Sequence, residues 1–277
     1  MNCRTIFALT ISALLSLNAS ATFAGAAEER IAYQAKVKKA EALYKERCAT
    51  VAGEKIHKTV ENVEGVLLMK VRPKRGDREL SNPMWPGAAF ASEFREETYI
   101  KSFLMYEQRK GEARGLIDSR VTPYPGYRWV DVIDEKDGKR YRYTGSNKAV
   151  RKQDTSAYNV QLAMKKNPNY DLNVYEWTLD KSPAPKDMPR YGVTYEDHVI
   201  PEERDLWVAS GSIKVVDLTT NEVLGELTRY AINYVHTPSA INPAPWLTSS
   251  ICPTVQGTAH ASTRIFIDSI LFPAKEK

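Results

Sequence analysis

Cys48 and Cys252 stand near opposite ends of the chain, and whether they are joined limits its topology more than any other feature. The N-terminus decides the compartment in which they meet. MNCRTIFALTISALLSLNASATFAGAAEER reads as a secretory signal, with Arg4 ahead of an apolar run from Ile6 to Leu17 that is too short to span a bilayer. Small residues follow. Ala24-Gly25-Ala26 fits an A-x-A cleavage rule, with Ala19-Ser20-Ala21 and a cut after Ala24 as competing sites, so cleavage is expected between Ala19 and Ala27. The expected organisation is a signal over 1–26 and one β-rich domain over 27–277. An uncleaved membrane anchor would need a longer apolar stretch, and a lipoprotein would carry its cysteine after the apolar run, whereas Cys3 precedes it.

Removal of the signal takes Cys3 with it and leaves two cysteines in an oxidising compartment. That arithmetic favours a Cys48–Cys252 disulfide over two separate buried thiols. The bond would close most of the chain into one loop, which loop entropy values at about 4–5 kcal/mol before native strain. The rest of the composition, 43% hydrophobic and 26% charged, is that of an ordinary globular chain and excludes a disordered one. No second apolar run is long enough to cross a membrane. The net charge of +5 becomes +4 without Arg4, too mild to specify a partner.

A helix is expected from about Ala27 to Ala52. Ala40, Leu43, Tyr44, Cys48 and Val51 recur at three- and four-residue steps, with lysines and glutamates mostly on the other side and Gly53 as the stop. From Glu54 onward the pattern alternates. Strands are expected at Lys55–Val60, Val66–Val71, Tyr99–Tyr106, Tyr127–Ile133, Lys139–Tyr143, Val174–Leu179, Tyr191–Val199, Leu206–Asp217 and Val223–Tyr234. Asp137-Gly138 and the polar run Thr219–Glu222 mark two hairpins, which makes their strands antiparallel. Proline-rich stretches around Pro83, Pro183 and Pro245 read as loops, and Thr263–Leu271 as a short C-terminal helix. The fold class is therefore α+β: a mostly antiparallel sheet, sandwich or partly open barrel, with the N-terminal helix packed on it.

Sequence motifs for chemistry are sparse. Nucleophile-elbow, Walker, dinucleotide-binding, zincin and C-x-x-C patterns are all missing, which weakens the commonest enzyme classes without excluding a site assembled from distant residues. In TYEDHV, Glu196 and His198 fall on one face of a strand, but no third ligand accompanies them, so no metal site is expected. Cys48 or Cys252 with His57 or His260 would make a thiol nucleophile only if the cysteines were free. In KRYRYTGSNKAVRK, Arg140 and Arg142 alternate with Tyr141 and Tyr143. The plain reading is a half-buried strand with tyrosines inward and arginines in water, and export makes nucleic acid an improbable partner. The same face suits an anionic glycan or lipid headgroup.

The stretches RCATVAGEKIHKTVENVEGVLLMKVRP, DEKDGKRYRYTG, PRYGVTYEDH and RDLWVASGSIKVVDLTTNEVLGEL resemble a group of uncharacterised exported proteobacterial proteins. The resemblance runs through most of the mature chain. It implies a periplasmic or surface setting and brings no activity, cofactor or catalytic residue. The expectation is a non-catalytic periplasmic or secreted module that binds a protein, glycan or small ligand, with no cofactor implied. The alternative is an envelope-acting hydrolase using Glu196, Asp197 or His198 as acid or base.

Overall fold

The computed structural model describes residues 4–104, 126–234, 242–254 and 259–274, with side chains described from residue 27 onward. The alternating segments form a nine-stranded mixed sheet, mostly antiparallel, that does not close into a barrel. Its central strands are β3 (Gly65–Leu68), β4 (Trp129–Ile133), β7 (Tyr191–His198), β8 (Val208–Asp217) and β9 (Glu222–Ile232). Two more, β5 (Arg140–Lys152) and β6 (Asn173–Pro183), extend one end, and β1 (Gly53–Ile56) and β10 (Ser250–Cys252) both pair with β9 at the other. The order is β1-β9-β8-β7-β3-β4-β5-β6, and β3 runs parallel to both β4 and β7. A separate parallel pair joins β2 (Val60–Val63) to β11 (Leu271–Pro273).

Both expected hairpins are present. Gly138 takes φ +68° in the turn between β4 and β5, the left-handed conformation that glycine adopts without a side-chain clash. The turn between β8 and β9 places Asn221 at φ +60°. The Tyr99–Tyr106 segment is not a strand: Glu96–Leu104 forms helix α3, and residues 105 and 106 lie outside the described residues. Tyr99, Ile100, Phe103 and Leu104 repeat at four-residue spacing and are all buried, while Glu96 and Glu97 sit favourably in the first turn. The loop around Pro83 contains helix α2 (Asp77–Ser81) and a 3-10 turn at Pro86–Phe90. Helices α4 (Tyr158–Lys166) and α5 (Pro201–Asp205) follow, and the C-terminal helix α6 spans Ser262–Asp268, its expected last residues turning into β11 instead.

One sheet face carries the main core, where Val66, Leu68, Val130, Ile213, Val215 and Leu227 meet Phe90, Phe103, Phe266 and Ile267. The opposite face holds a smaller cluster of Leu206, Val208, Tyr230 and Ile232 against Ala40, Leu43 and Tyr44 of the N-terminal helix α1 (Arg4–Thr50). Val51 falls beyond the helix end and is exposed. Arg47 donates to Glu203 at 2.9 Å and Lys36 to Asp205 at 2.9 Å, so α1 is tied to α5 as well.

Cys48 and Cys252 form a disulfide across 204 residues of sequence, with Cα atoms 5.8 Å apart. The bond joins the end of α1 to β10, which is paired with β9. The double variant C48S/C252S should lose about 5 kcal/mol in urea unfolding, the loop-closure entropy of so long a ring before native strain is subtracted. Unchanged stability would mean that α1 docks as well without the covalent tie.

Candidate functional site

On the main core face, register sets Asp197 of β7, Gly211 of β8 and Arg229 of β9 in one row across three strands. Phe90 lies over the middle of that row, its ring so close that a Cβ at position 211 would meet it at 3.1 Å and the Glu196 carbonyl oxygen at 2.9 Å. Glycine at 211 is thus what lets an aromatic ring sit on the sheet between two charged side chains. Arg72, just past β3, reaches the same place: its guanidinium carbon is 4.5 Å from the Phe90 ring centroid and 4.0 Å from that of Tyr195. Arg229 approaches Phe90 at 4.5 Å as well. Such cation–π contacts are worth about 0.5–2 kcal/mol each, less than the cost of taking a guanidinium out of water.

Arg72 is fully buried and Arg229 is 2% exposed. Arg72 donates through Nη1 to Asp197 at 3.2 Å, but its Nε and Nη2 have no hydrogen-bond partner among the described residues. Arg229 likewise leaves Nε and Nη2 without one. Glu93 is buried beside them. Its Oε2 accepts from the Thr263 backbone N–H at 3.1 Å, while Oε1 has no partner among the described residues. Burial pushes the Glu93 carboxyl up to about 7, against the pull of Arg72, Arg229 and Thr263. The hydroxyls of Tyr99 and Thr263 are buried there too, Thr263 close to both Tyr99 and the carboxylate. Burial also brings Arg229 down to about 10, which leaves it charged at neutral pH.

At its edge stand Asp197, Arg95 and Arg75, which are partly exposed. Arg95 donates to the Pro73 carbonyl at 3.2 Å and to the Phe90 carbonyl at 3.4 Å, and packs 5.0 Å from the Trp85 ring. Arg75 donates to the Ala91 carbonyl. Arg204 of α5 closes another side, bonded to the carbonyls of Pro86 and His198, with Nε and Nη1 unpartnered. These arginines outnumber the carboxylates Asp197 and Glu93, so the interior carries excess positive charge and unpaired donors together. That combination suits an anion.

The residues singled out by sequence go elsewhere. Glu196 and His198 do share a face, the one opposite the arginine row. There the His198 ring lies 3.4 Å from the Ser210 hydroxyl at Nδ1, 3.5 Å from that of Ser212 at Nε2, and 4.0 Å from Glu196 at Nε2. Asp197 points the other way, to Arg72, so the three acid–base candidates do not converge. Arg140 and Arg142 are not in water: both pair with the fully buried Asp131, Arg142 at 2.7 Å and Arg140 at 3.5 Å. A carboxylate buried on the neighbouring strand draws them in, and Arg142 also stacks 3.7 Å over Trp129. Tyr141 and Tyr143 are half-buried on the other side, with Lys181 3.9 Å from the Tyr141 ring. The disulfide removes the thiol nucleophile; His260 is bonded to the Ser92 carbonyl at 2.6 Å, and His236 lies outside the described residues. No group of three or more histidine, cysteine, aspartate or glutamate side chains gathers among the described residues.

Residue patterning carried one usable signal for the cluster. In LTRYAI, Leu227, Arg229 and Ala231 alternate onto one face, which puts a charge at an inward position of an apolar strand, and such a charge needs a partner or a purpose. Comparison with family models, curated proteins and solved structures returns no match.

Glu93 makes stability depend on pH. The folded carboxyl, near 7, holds its proton more tightly than the unfolded one, near 4.5, so its contribution is full below about 4.5 and is lost as pH rises to about 7. Glu93→Gln should flatten this part of the profile, gaining on the order of 2 kcal/mol relative to wild type between pH 4.5 and pH 8. Urea unfolding at both pH values measures it; parallel changes in the two proteins would contradict a raised carboxyl.

Proposed function

We propose that this chain is a non-catalytic binding module of the bacterial periplasm or exterior, with its ligand held at the Arg72–Arg229 cluster. The observation that carries the reading is the set of buried guanidinium N–H groups that have no partner among the described residues, in a positively charged interior. Unpaired charged donors are costly to a fold, and a ligand that pairs them recovers that cost on binding. The signal-like N-terminus and the disulfide support an exported setting. Glycan and protein ligands remain compatible if they present a group small enough to reach the arginines.

A second reading, an envelope-acting hydrolase, draws on His198 between Ser210, Ser212 and Glu196. The hydroxyl contacts are at the long end for hydrogen bonds, and Ser210 and Ser212 are 1% and 2% exposed, which favours a structural polar cluster.

Native mass spectrometry of protein recovered from the exported fraction tests the binding reading. The expected result is a mature mass plus a noncovalent adduct, retained by His198→Ala and lost in Arg229→Met. An adduct indifferent to Arg229, or turnover of envelope fragments that His198→Ala abolishes, would overturn it.

A further inference from the structure

We infer that the cluster holds a tetrahedral oxyanion, sulfate-like or phosphate-like, with one proton shared between that ion and Glu93; this rests on reading the cluster as the ligand site. The unpaired atoms define the complement. Arg72 and Arg229 together offer four N–H positions, Nε and Nη2 of each, which is the paired edge that a guanidinium presents to two oxygens of an oxyanion. Both guanidinium groups act on the buried Glu93 carboxyl, and each packs 4.5 Å from the Phe90 ring, so an ion beside Glu93 lies within reach of both. A planar carboxylate has two oxygens for two such edges. A tetrahedral ion has up to four and serves both arginines at once.

Glu93 adds the discriminating element. Its Oε1 is a buried acceptor without a donor, and an ionised carboxylate would repel an incoming anion. Two arrangements resolve the conflict. Either Glu93 takes up a proton and donates it to an unprotonated ion, or the ion brings its own hydroxyl and donates to Oε1. In both, one proton lies between them.

The charged and titratable groups facing Glu93 are Arg72 from the segment after β3, Arg229 from β9 and Tyr99 from α3, and the Thr263 backbone N–H of α6 donates to it. Arg95 is on Glu93's own segment, and His260, ahead of α6, is held by Ser92. Tyr195 and Asp197 of β7 sit on the far side of Arg72. Of these, Glu93 is the carboxyl that burial brings to about 7, and Tyr99 and Tyr195 are pushed above their ordinary range.

The consequence separates three ions that share shape and charge. Sulfate carries no proton in the neutral range, so it must protonate Glu93, and a phosphate monoester must do so above about pH 6, where it loses its last proton. Inorganic phosphate keeps a hydroxyl. Titration calorimetry of the disulfide-intact mature protein with sulfate, methyl phosphate and inorganic phosphate, at constant ionic strength in a buffer free of oxyanions, reads the difference. Sulfate should weaken about tenfold between pH 6 and pH 8 and methyl phosphate about fivefold, whereas inorganic phosphate should not weaken. In Glu93→Gln, sulfate binding should become independent of pH.

The wild-type profiles decide the matter even if the variant fails to fold. No binding of any of the three ions at about 10 mM, or a sulfate affinity equal at pH 6 and pH 8, would overturn the proposal. A non-oxyanion adduct lost in Arg229→Met, with no oxyanion binding, would sink this inference alone; loss of both would sink the binding reading too.

Discussion

Two guanidiniums held out of water with part of their hydrogen-bonding capacity unused are the constraint around which the central sheet is arranged. A neutral side chain at 229 would pack against Phe90 without penalty. An arginine there must be compensated by whatever surrounds it. The structure supplies partial compensation: the Phe90 ring on Gly211, the Tyr195 face against Arg72, and Asp197 on one side of Arg72. It does not supply enough carboxylate, since Glu93 is itself pushed toward neutrality by burial. The remaining donors give the site its chemical character.

Several elements remote in sequence have to meet for this to happen. Arg72 follows β3, Phe90 ends a 3-10 turn, Glu93 precedes α3, Asp197 and Arg229 stand on β7 and β9, and Thr263 begins the C-terminal helix. Phe94 donates its N–H to the His260 carbonyl at 2.8 Å, which fixes the Glu93 segment against the C-terminal part of the chain. On the other side of the sheet the disulfide and the Arg47–Glu203 pair hold α1 against β9, β10 and α5. The strand that carries Arg229 is therefore braced on both faces.

The parts legible in the sequence were those with local signals. The disulfide followed from compartment and cysteine count; the hairpins followed from Asp137-Gly138 and the polar turn after Asp217. Helix α3 reads as a strand from sequence because Tyr99, Ile100 and Phe103 are β-formers by composition, and only their four-residue recurrence, satisfied by packing, makes them a helix. The arginines at 140 and 142 look exposed from sequence because Asp131, their buried partner, lies on another strand. The arginine cluster was nearly invisible for the same reason: its members come from six places in the chain, and only the inward register of Arg229 betrays it.

The most direct test of the central claim is a crystal structure of the mature protein soaked in selenate at about pH 6, where Glu93 is mostly protonated, with anomalous difference maps at the selenium edge. A selenium peak between Arg72 and Arg229, beside Glu93 Oε1, is expected. Peaks confined to surface lysines, with only water between the two arginines, would contradict it.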